Sequence, residues 1–400
     1  MTKNKHLALY GGKPVRNAYL PYGRQWIDEE DIKAVTKVLQ SEFITTGPMI
    51  TEFEKAIRDF VGTKYAIAFS SGTAALHAAC FAAGITENDE VITTSMTFAA
   101  SSNCILYLGA TPVFADIDPK TFTISPEAIK PLINENTKAI ITVDYTGTPA
   151  EYDEILSLAQ EHGLIVIDDA AHALGATYKQ RYIGSIADLT MFSFHPVKHI
   201  TTGEGGIITT DNHQFYEKLV GFRNHGITRD PQKIIGKHEP WYYEMQEIGL
   251  NYRMTDIQAA LGLSQMKKIG YFLVKRREYA KKYTEAFKDL EGVITPTEQK
   301  YSDSSWHLYI IRLDLSKLRV DRNAIFKALQ KENIGVNVHY IPVYLHPYYQ
   351  QLGYKIGLCP NAESLYEEII TLPLFPKMSE EDLNDVIKGV RKVISYYLIN

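Results

Sequence analysis

Between residues 28 and 225, short apolar runs alternate with helix-sized stretches, and that rhythm leaves the chain few architectures. The runs at 65–69, 90–93, 112–114, 139–143 and 164–167 are almost continuously apolar. A strand with one wet face would alternate apolar and polar residues. A continuous run needs cover on both faces, which predicts a largely parallel sheet between helices. Runs at 190–194 and 206–210 predict two further strands at its far side. Asp28 caps a predicted helix with Ile32, Val35, Val38 and Leu39 on one face; Phe53, Ile57 and Phe60 mark the inner face of a second, stopped by Gly62.

Beyond about residue 255 the rhythm changes. Residues 256–290 read as one long helical segment, with Ile257, Leu261, Leu263 and Met266 ahead of a charged stretch. Strands at 307–313 and 335–339 and helices at 322–331 and 380–397 follow. The 400 residues exceed what one core usually holds. The expected division is therefore a large α/β domain with an N-terminal arm, 1–255, and a smaller α+β domain, 256–400.

A net charge of −5 lacks the basic excess of a nucleic-acid binder. The first sixteen residues are polar and basic, with no apolar segment of a signal peptide. The most apolar stretch, 65–85, is interrupted by Ser70, Ser71, Gly72 and His77, which argues against a membrane span. A cytoplasmic protein without nucleic-acid or membrane partners is expected. Cys80, Cys104 and Cys359 have apolar neighbours and no metal-ligand spacing, so buried thiols and no metal site are expected.

In open α/β sheets, ligands collect where strands end at their carboxyl side. The run at 65–69 leads into Ser70, Ser71, Gly72 and Thr73 and then an alanine-rich helix. The run at 164–167 ends in Asp168, Asp169, Ala170, Ala171 and His172. The run at 190–194 contains Ser193 and leads through His195 to Lys198. Ser71, Gly72 and Thr73 suit a phosphate, because a helix N-terminus offers free N–H groups and glycine lets a ligand approach. The same triplet is also a common helix cap. Either aspartate would serve as a cap or ion-pair partner, or would face a heterocyclic nitrogen and keep it protonated. Lys198 stands among apolar residues, two histidines and a glycine-rich turn. Burial and nearby positive charge would lower its pKa and favour reaction with a carbonyl.

Together these motifs resemble the sugar aminotransferases named for the DegT, DnrJ, EryC and StrS proteins. The resemblance runs through Gly47 with Thr45 and Thr46, then 70–80, 166–175, 193–206, 222–226 and 251–262. It implies the aspartate-aminotransferase-like fold (type I) and pyridoxal 5'-phosphate as cofactor. Lys198 would link to the cofactor covalently, Asp169 would face its pyridine nitrogen, and His172 and Phe98 would flank its ring. Ser71, Gly72, Thr73 and Ser193 would hold its phosphate, which Asn251 of the partner subunit would reach across a homodimer with shared active sites. Tyr22, Thr45, His339, Tyr340 and Tyr344 would lie near the substrate.

Within the family, 193–206 and 338–352 resemble most the branch that serves pseudaminic acid synthesis. That implies amino transfer from L-glutamate to the C4 ketone of a UDP-linked 4-keto-6-deoxy-N-acetylhexosamine. The alternatives are another 3- or 4-keto sugar on UDP or dTDP, a cofactor-dependent sugar dehydratase, or a non-catalytic regulatory protein on the same scaffold. Dehydratases of this family carry histidine at the lysine position, whereas this chain keeps Lys198.

Overall fold

The computed structural model describes residues 6–237 and 239–399. Its centre is a seven-stranded sheet. In chain order the strands are β1 (Tyr65–Phe69), β2 (Glu90–Thr94), β3 (Thr111–Ala115), β4 (Thr137–Val143), β5 (Ile165–Asp169), β6 (Leu189–Ser193) and β7 (Gly206–Thr210). Their spatial order is β1-β7-β6-β5-β4-β2-β3. Strands β2 to β6 pair in parallel, and β7 runs antiparallel to both β6 and β1.

The predicted parallel sheet is present, with one correction. The last two strands do not sit at its far side; β7 slots between β6 and β1, leaving the earliest strand at the edge. Only glycine permits the close approach at its start. A Cβ on Gly206 would stand 2.6 Å from the Ser71 carbonyl oxygen and 2.7 Å from the Gly72 Cα.

Alternate residues of the central strands enter opposite cores, which is why their runs are continuously apolar. Ile140 and Val166 join Phe53, Ile57 and Phe192 on one face. Ile141 and Ile167 join Leu76, Leu189 and Met191 on the other. The covering helices include α1 (Glu29–Leu39), α2 (Pro48–Val61), α3 (Gly72–Ala82), α4 (Ala100–Leu106), α5 (Tyr152–His162) and α6 (His213–Phe222). Asp28 caps α1 as expected, but of the face predicted for it only Val38 is buried, while Ile32 and Leu39 are exposed.

The segment 256–290 is two helices, α7 (Asp256–Met266) and α8 (Ile269–Phe287). At the break, Lys267 and Lys268 donate backbone bonds to the carbonyls of Ser264 and Gln265, three residues back, which tightens and ends the helix. The Lys268 ammonium then reaches Asp28 at 2.8 Å and Asp31 at 2.6 Å, fastening the break to α1.

A second core gathers around β8 (Tyr309–Leu313), α9 (Arg322–Lys331), β9 (Ile369–Leu372) and α10 (Glu380–Tyr397). Leu7 and Leu20, from the start of the chain, pack into it. The strand expected at 335–339 is not formed; it makes only an isolated bridge, Asn337 to Thr371. There the Asn337 side chain accepts from the N–H of Val338 at 2.9 Å and competes with a regular ladder. Strand β9 had no counterpart among the expectations.

All three cysteines are buried and free, and burial pushes the Cys104 thiol well up from its ordinary range. Among the described residues, no group of side chains has the makings of a metal site, and no helix is long and apolar enough to cross a membrane.

Candidate active site

Because β1, β4, β5 and β6 run the same way, their carboxyl ends share one rim, and β7 begins there. A cavity of about 520 Å³ opens on that rim. Its walls include Ser71, Gly72, Thr73, Asp169, His172, Ser193 and Lys198, and also Phe98, Tyr22, His339 and Tyr340. Eleven residues from separate stretches of the chain thus meet at one hollow.

At one end stands the N-terminus of α3. The Ser71 hydroxyl caps the helix by accepting from the Ala74 N–H at 3.1 Å. The N–H groups of Gly72 and Thr73, first and second in the helix, have no carbonyl to meet within it. A Cβ on Gly72 would lie 3.2 Å from Ser193 Cβ and 3.3 Å from Ser193 Oγ, so the serine hydroxyl closes on the same spot. Free donors, a helix N-terminus and hydroxyls make an anion cradle.

On the floor, the two aspartates part company. Asp168 is buried and accepts from Thr142 Oγ1 at 3.2 Å; burial and the Asp144 carboxylate push its pKa well up. Asp169 lines the cavity. Its Oδ2 accepts from Ser101 Oγ at 2.5 Å and its Oδ1 from the Ala171 N–H at 3.1 Å. Burial raises its pKa, while the two hydrogen bonds and the Lys198 ammonium oppose the rise.

Lys198 rides on the loop between β6 and β7, whose ends are paired at Ser193 and Gly206. The loop is tied to itself: Phe194 N–H donates to Gly205 O at 2.9 Å, and Thr201 Oγ1 to Phe194 O at 2.9 Å. Desolvation brings the Lys198 pKa down to about 8; the Arg276 guanidinium reinforces the drop and Asp169 opposes it. Near neutrality about a tenth of the amine is therefore unprotonated and nucleophilic, against roughly a few in ten thousand for an ordinary lysine.

The third wall is aromatic. His172 is buried, and its Nε2 lies 3.1 Å from the Tyr340 hydroxyl, a hydrogen bond. Burial first, then Lys198 and two other histidines, drive its pKa well down, so the imidazole is neutral. Phe98 is 61% exposed over the opening, its ring centroid 6.2 Å from that of Tyr340. His339 is fixed by Thr371 Oγ1 at 2.8 Å and by Asn337 Nδ2 at 3.2 Å, and burial lowers its pKa to about 3. The Tyr22 ring packs 5.2 Å from it.

Three expected residues are elsewhere. Thr45 and Asn251 are exposed on this chain and line no part of the cavity. The expectation for Asn251 concerns the neighbouring subunit's site. Tyr344 is corrected outright: it is fully buried beside Phe114, its hydroxyl donates to Glu363, and it accepts from the Cys359 N–H at 3.1 Å. The 3-10 turn Val343–Leu345, anchored by Val343 N–H on Ser95 O at 2.9 Å, directs it into the core.

Conversely, Ser101 and His307 belong to the site without having been anticipated. Ser101 carries no signal in the sequence. A histidine at the head of an apolar strand, as in Trp306, His307 and Leu308, was a signal available for the other.

These groups fit pyridoxal phosphate on their own chemistry. The cradle suits its phosphate, a carboxylate kept by two donors suits its ring nitrogen, and an amine of lowered pKa suits its aldehyde.

Residues 25–391 match the DegT/DnrJ/EryC1/StrS aminotransferase family. The spore coat polysaccharide biosynthesis protein SpsC of Bacillus subtilis is 44% identical over 381 residues, which span 95% of this chain and 98% of that protein. Helicobacter pylori PseC, an aminotransferase involved in the biosynthesis of pseudoaminic acid, superposes with a TM-score of 0.88 at 36% identity, covering 95% of this chain and 100% of its own. The pyridoxal-phosphate form of Spr1654 from Streptococcus pneumoniae superposes with a TM-score of 0.89 at 33% identity, covering 95% and 100%. The chain belongs to the DegT/DnrJ/EryC1/StrS aminotransferase family and is a pyridoxal-phosphate-dependent sugar aminotransferase.

Proposed function

We propose that this enzyme moves an amino group from L-glutamate to the C4 ketone of a UDP-linked 4-keto-6-deoxy-N-acetylhexosamine, supplying a surface glycan. The observation that supports this most is the match to PseC over 95% of this chain, on a site where Ser71, Gly72, Thr73, Asp169, Ser193 and Lys198 converge. On this reading it works in the cytoplasm as a homodimer with shared active sites.

Pyridoxal phosphate, when bound, supplies a sink for the carbanion charge that develops at the donor's α-carbon. The chain's own residues do the rest. Gly72 and Thr73 N–H groups and the Ser71, Thr73 and Ser193 hydroxyls bind the phosphate dianion. Asp169 holds a proton on the pyridine nitrogen, and His172 and Phe98 flank the ring. Lys198 Nζ would hold the cofactor's aldehyde carbon and, as a neutral amine, would take the proton that leaves the donor's α-carbon. Tyr22, His339 and Tyr340 border the sugar, and Asn251 of the partner subunit reaches the phosphate from across the dimer.

A second reading rests on SpsC, a spore coat polysaccharide biosynthesis protein that shares more identity with this chain than PseC does. It keeps the transamination and moves the substrate to another 3- or 4-keto sugar on UDP or dTDP. A panel of UDP- and dTDP-linked keto sugars, incubated with glutamate and read by mass spectrometry, tests both. Amination of the 4-keto UDP-N-acetyl sugar supports the first; products from dTDP sugars alone would overturn it.

A further inference from the structure

The segment 304–308 is bound to both halves of the molecule. Ser304 Oγ and Ser305 N–H donate to Gly147 O at 3.0 and 3.1 Å, and Leu308 N–H to Thr146 O at 3.2 Å. Ser305 Oγ donates to the carbonyl of His172 at 2.9 Å, and His199 Nε2 donates to the carbonyl of Ser305 at 3.2 Å. From α8, Arg277 Nε donates to Ser304 O at 3.2 Å. Arg276 Nη1 donates to Trp306 O at 3.3 Å and His307 O at 3.0 Å. Trp306 takes a left-handed backbone, φ 50°, rare for so bulky a side chain. Its N–H is held by Ser304 Oγ at 3.1 Å.

This dense fastening delivers one side chain. The His307 ring enters between His172 and His199, with centroids 4.4 and 5.5 Å away, and lines the cavity. The buried Nδ1 atoms of His172 and His307 have no hydrogen-bond partner among the described residues. The imidazole of His172 is thus steered by the Tyr340 hydroxyl at one nitrogen, by the Tyr340 ring stacked 6.1 Å away and by the His307 ring against its side.

We propose that His307 is a positioning residue for the transamination: it backs His172 and fixes the plane in which His172 meets the cofactor ring. The inference rests on the reading above that His172 flanks that ring. Arg276, buried, sets His307 by donating to its carbonyl at 3.0 Å. Burial first, then the neighbouring Lys198, His172, His199 and Arg276, hold the His307 pKa well below its ordinary value. His307 therefore stays neutral and acts as a wall of fixed shape, not as a proton carrier.

The test uses the cofactor-loaded enzyme and His307→Phe, which keeps a flat ring but alters its shape and polarity. The expected result is an unchanged melting temperature, within about 3 °C, and full cofactor loading. The visible circular dichroism of the bound cofactor is expected to change. kcat for the glutamate half-reaction falls about 10²-fold while KM moves little, as for a misplaced catalytic group. His307→Gln, polar and neutral, recovers part of the loss. A circular dichroism band and half-reaction matching the unsubstituted enzyme within about twofold would overturn the proposal. Where His307→Phe does not fold, Ser305→Ala carries the test: it removes only the hydroxyl on the His172 carbonyl, and an unaltered dichroism there refutes the positioning. His172→Asn checks the underlying reading separately. If it leaves the cofactor's dichroism untouched, His172 does not flank the ring, and that reading fails on its own.

Discussion

Ser101, the second residue of α4, donates a 2.5 Å hydrogen bond to the Asp169 carboxylate from a helix that contributes no other donor to it. Burial drives the Asp169 pKa up, so the charged form survives on the bonds that favour it. Ser101→Ala removes one of them, and the pKa rises further. Cofactor affinity should then begin to fall at a higher pH than in the unsubstituted enzyme. Near neutrality it should drop by about tenfold or more, the worth of a hydrogen bond to a charged group. Fluorescence titration with pyridoxal phosphate across pH measures both; an acid limb that stays in place would refute the coupling.

Lys198 has a folded-state pKa of about 8 against an ordinary 10.5. Its neutral, nucleophilic form accumulates as pH rises through the lower value. Covalent capture of pyridoxal phosphate by the cofactor-free protein should accelerate up to a midpoint near 8 and then level. Arg276→Gln removes a cation that helps depress this pKa, so the midpoint should move upward. Lys198→Ala should abolish the near-visible band of the covalently held cofactor and all turnover, with stopped-flow absorbance as the readout.

Gly206→Ala tests the contact that lets β7 enter the sheet. Its added methyl would meet backbone atoms of Ser71 and Gly72 at 2.6 and 2.7 Å, and backbone does not yield as a side-chain tip would. The expected cost is about 1–3 kcal/mol of stability. Cofactor affinity should be lost as well, because the displaced atoms belong to the anion cradle proposed to hold the phosphate. Denaturant melts and cofactor titration check the pair; a stable variant with intact affinity contradicts the geometry.

Asp256 is wholly buried and caps α2 from across the chain, accepting from the N–H groups of Gly47 at 2.7 Å and Met49 at 2.8 Å. Gly47, the local cap residue, has no side chain to do this. Asp256→Ala should cost about 2 kcal/mol in urea unfolding, the upper range for a lost helix cap, and Asp256→Asn less. Equal stability of the three chains would show that the bonds are dispensable.

The sequence disclosed most where chemistry follows a strand directly. Ser71 to Thr73, Asp169 and Lys198 could be found because sheet polarity alone carries strand ends to one rim. It disclosed least where the approach is tertiary. Ser101 arrives on a short helix, His307 on a loop clamped between two cores, and neither has local periodicity to mark it. Tyr344 shows the opposite failure: neighbours in sequence to His339 and Tyr340 suggested a shared role, and one 3-10 turn sent it to the core. Residues 335–339 have a strand's composition, but Asn337 bonds its own backbone. Strand β9 begins directly at the end of the helix Pro360–Glu368, with no glycine or proline at the junction to announce the change.

The reversal of β7 has a mechanical consequence. The loop bearing Lys198 springs from Ser193 and lands on Gly206, residues paired to each other inside the sheet, not at its edge. It is an arch with both footings in bedrock. To shift the footings of the arch, β6 would have to lift from β7 and so open the sheet at its middle. Amide protons at the footings, Ser193 and Gly206, should therefore exchange only as slowly as the whole domain unfolds, and the reactive amine should hold its station even when the cavity is empty.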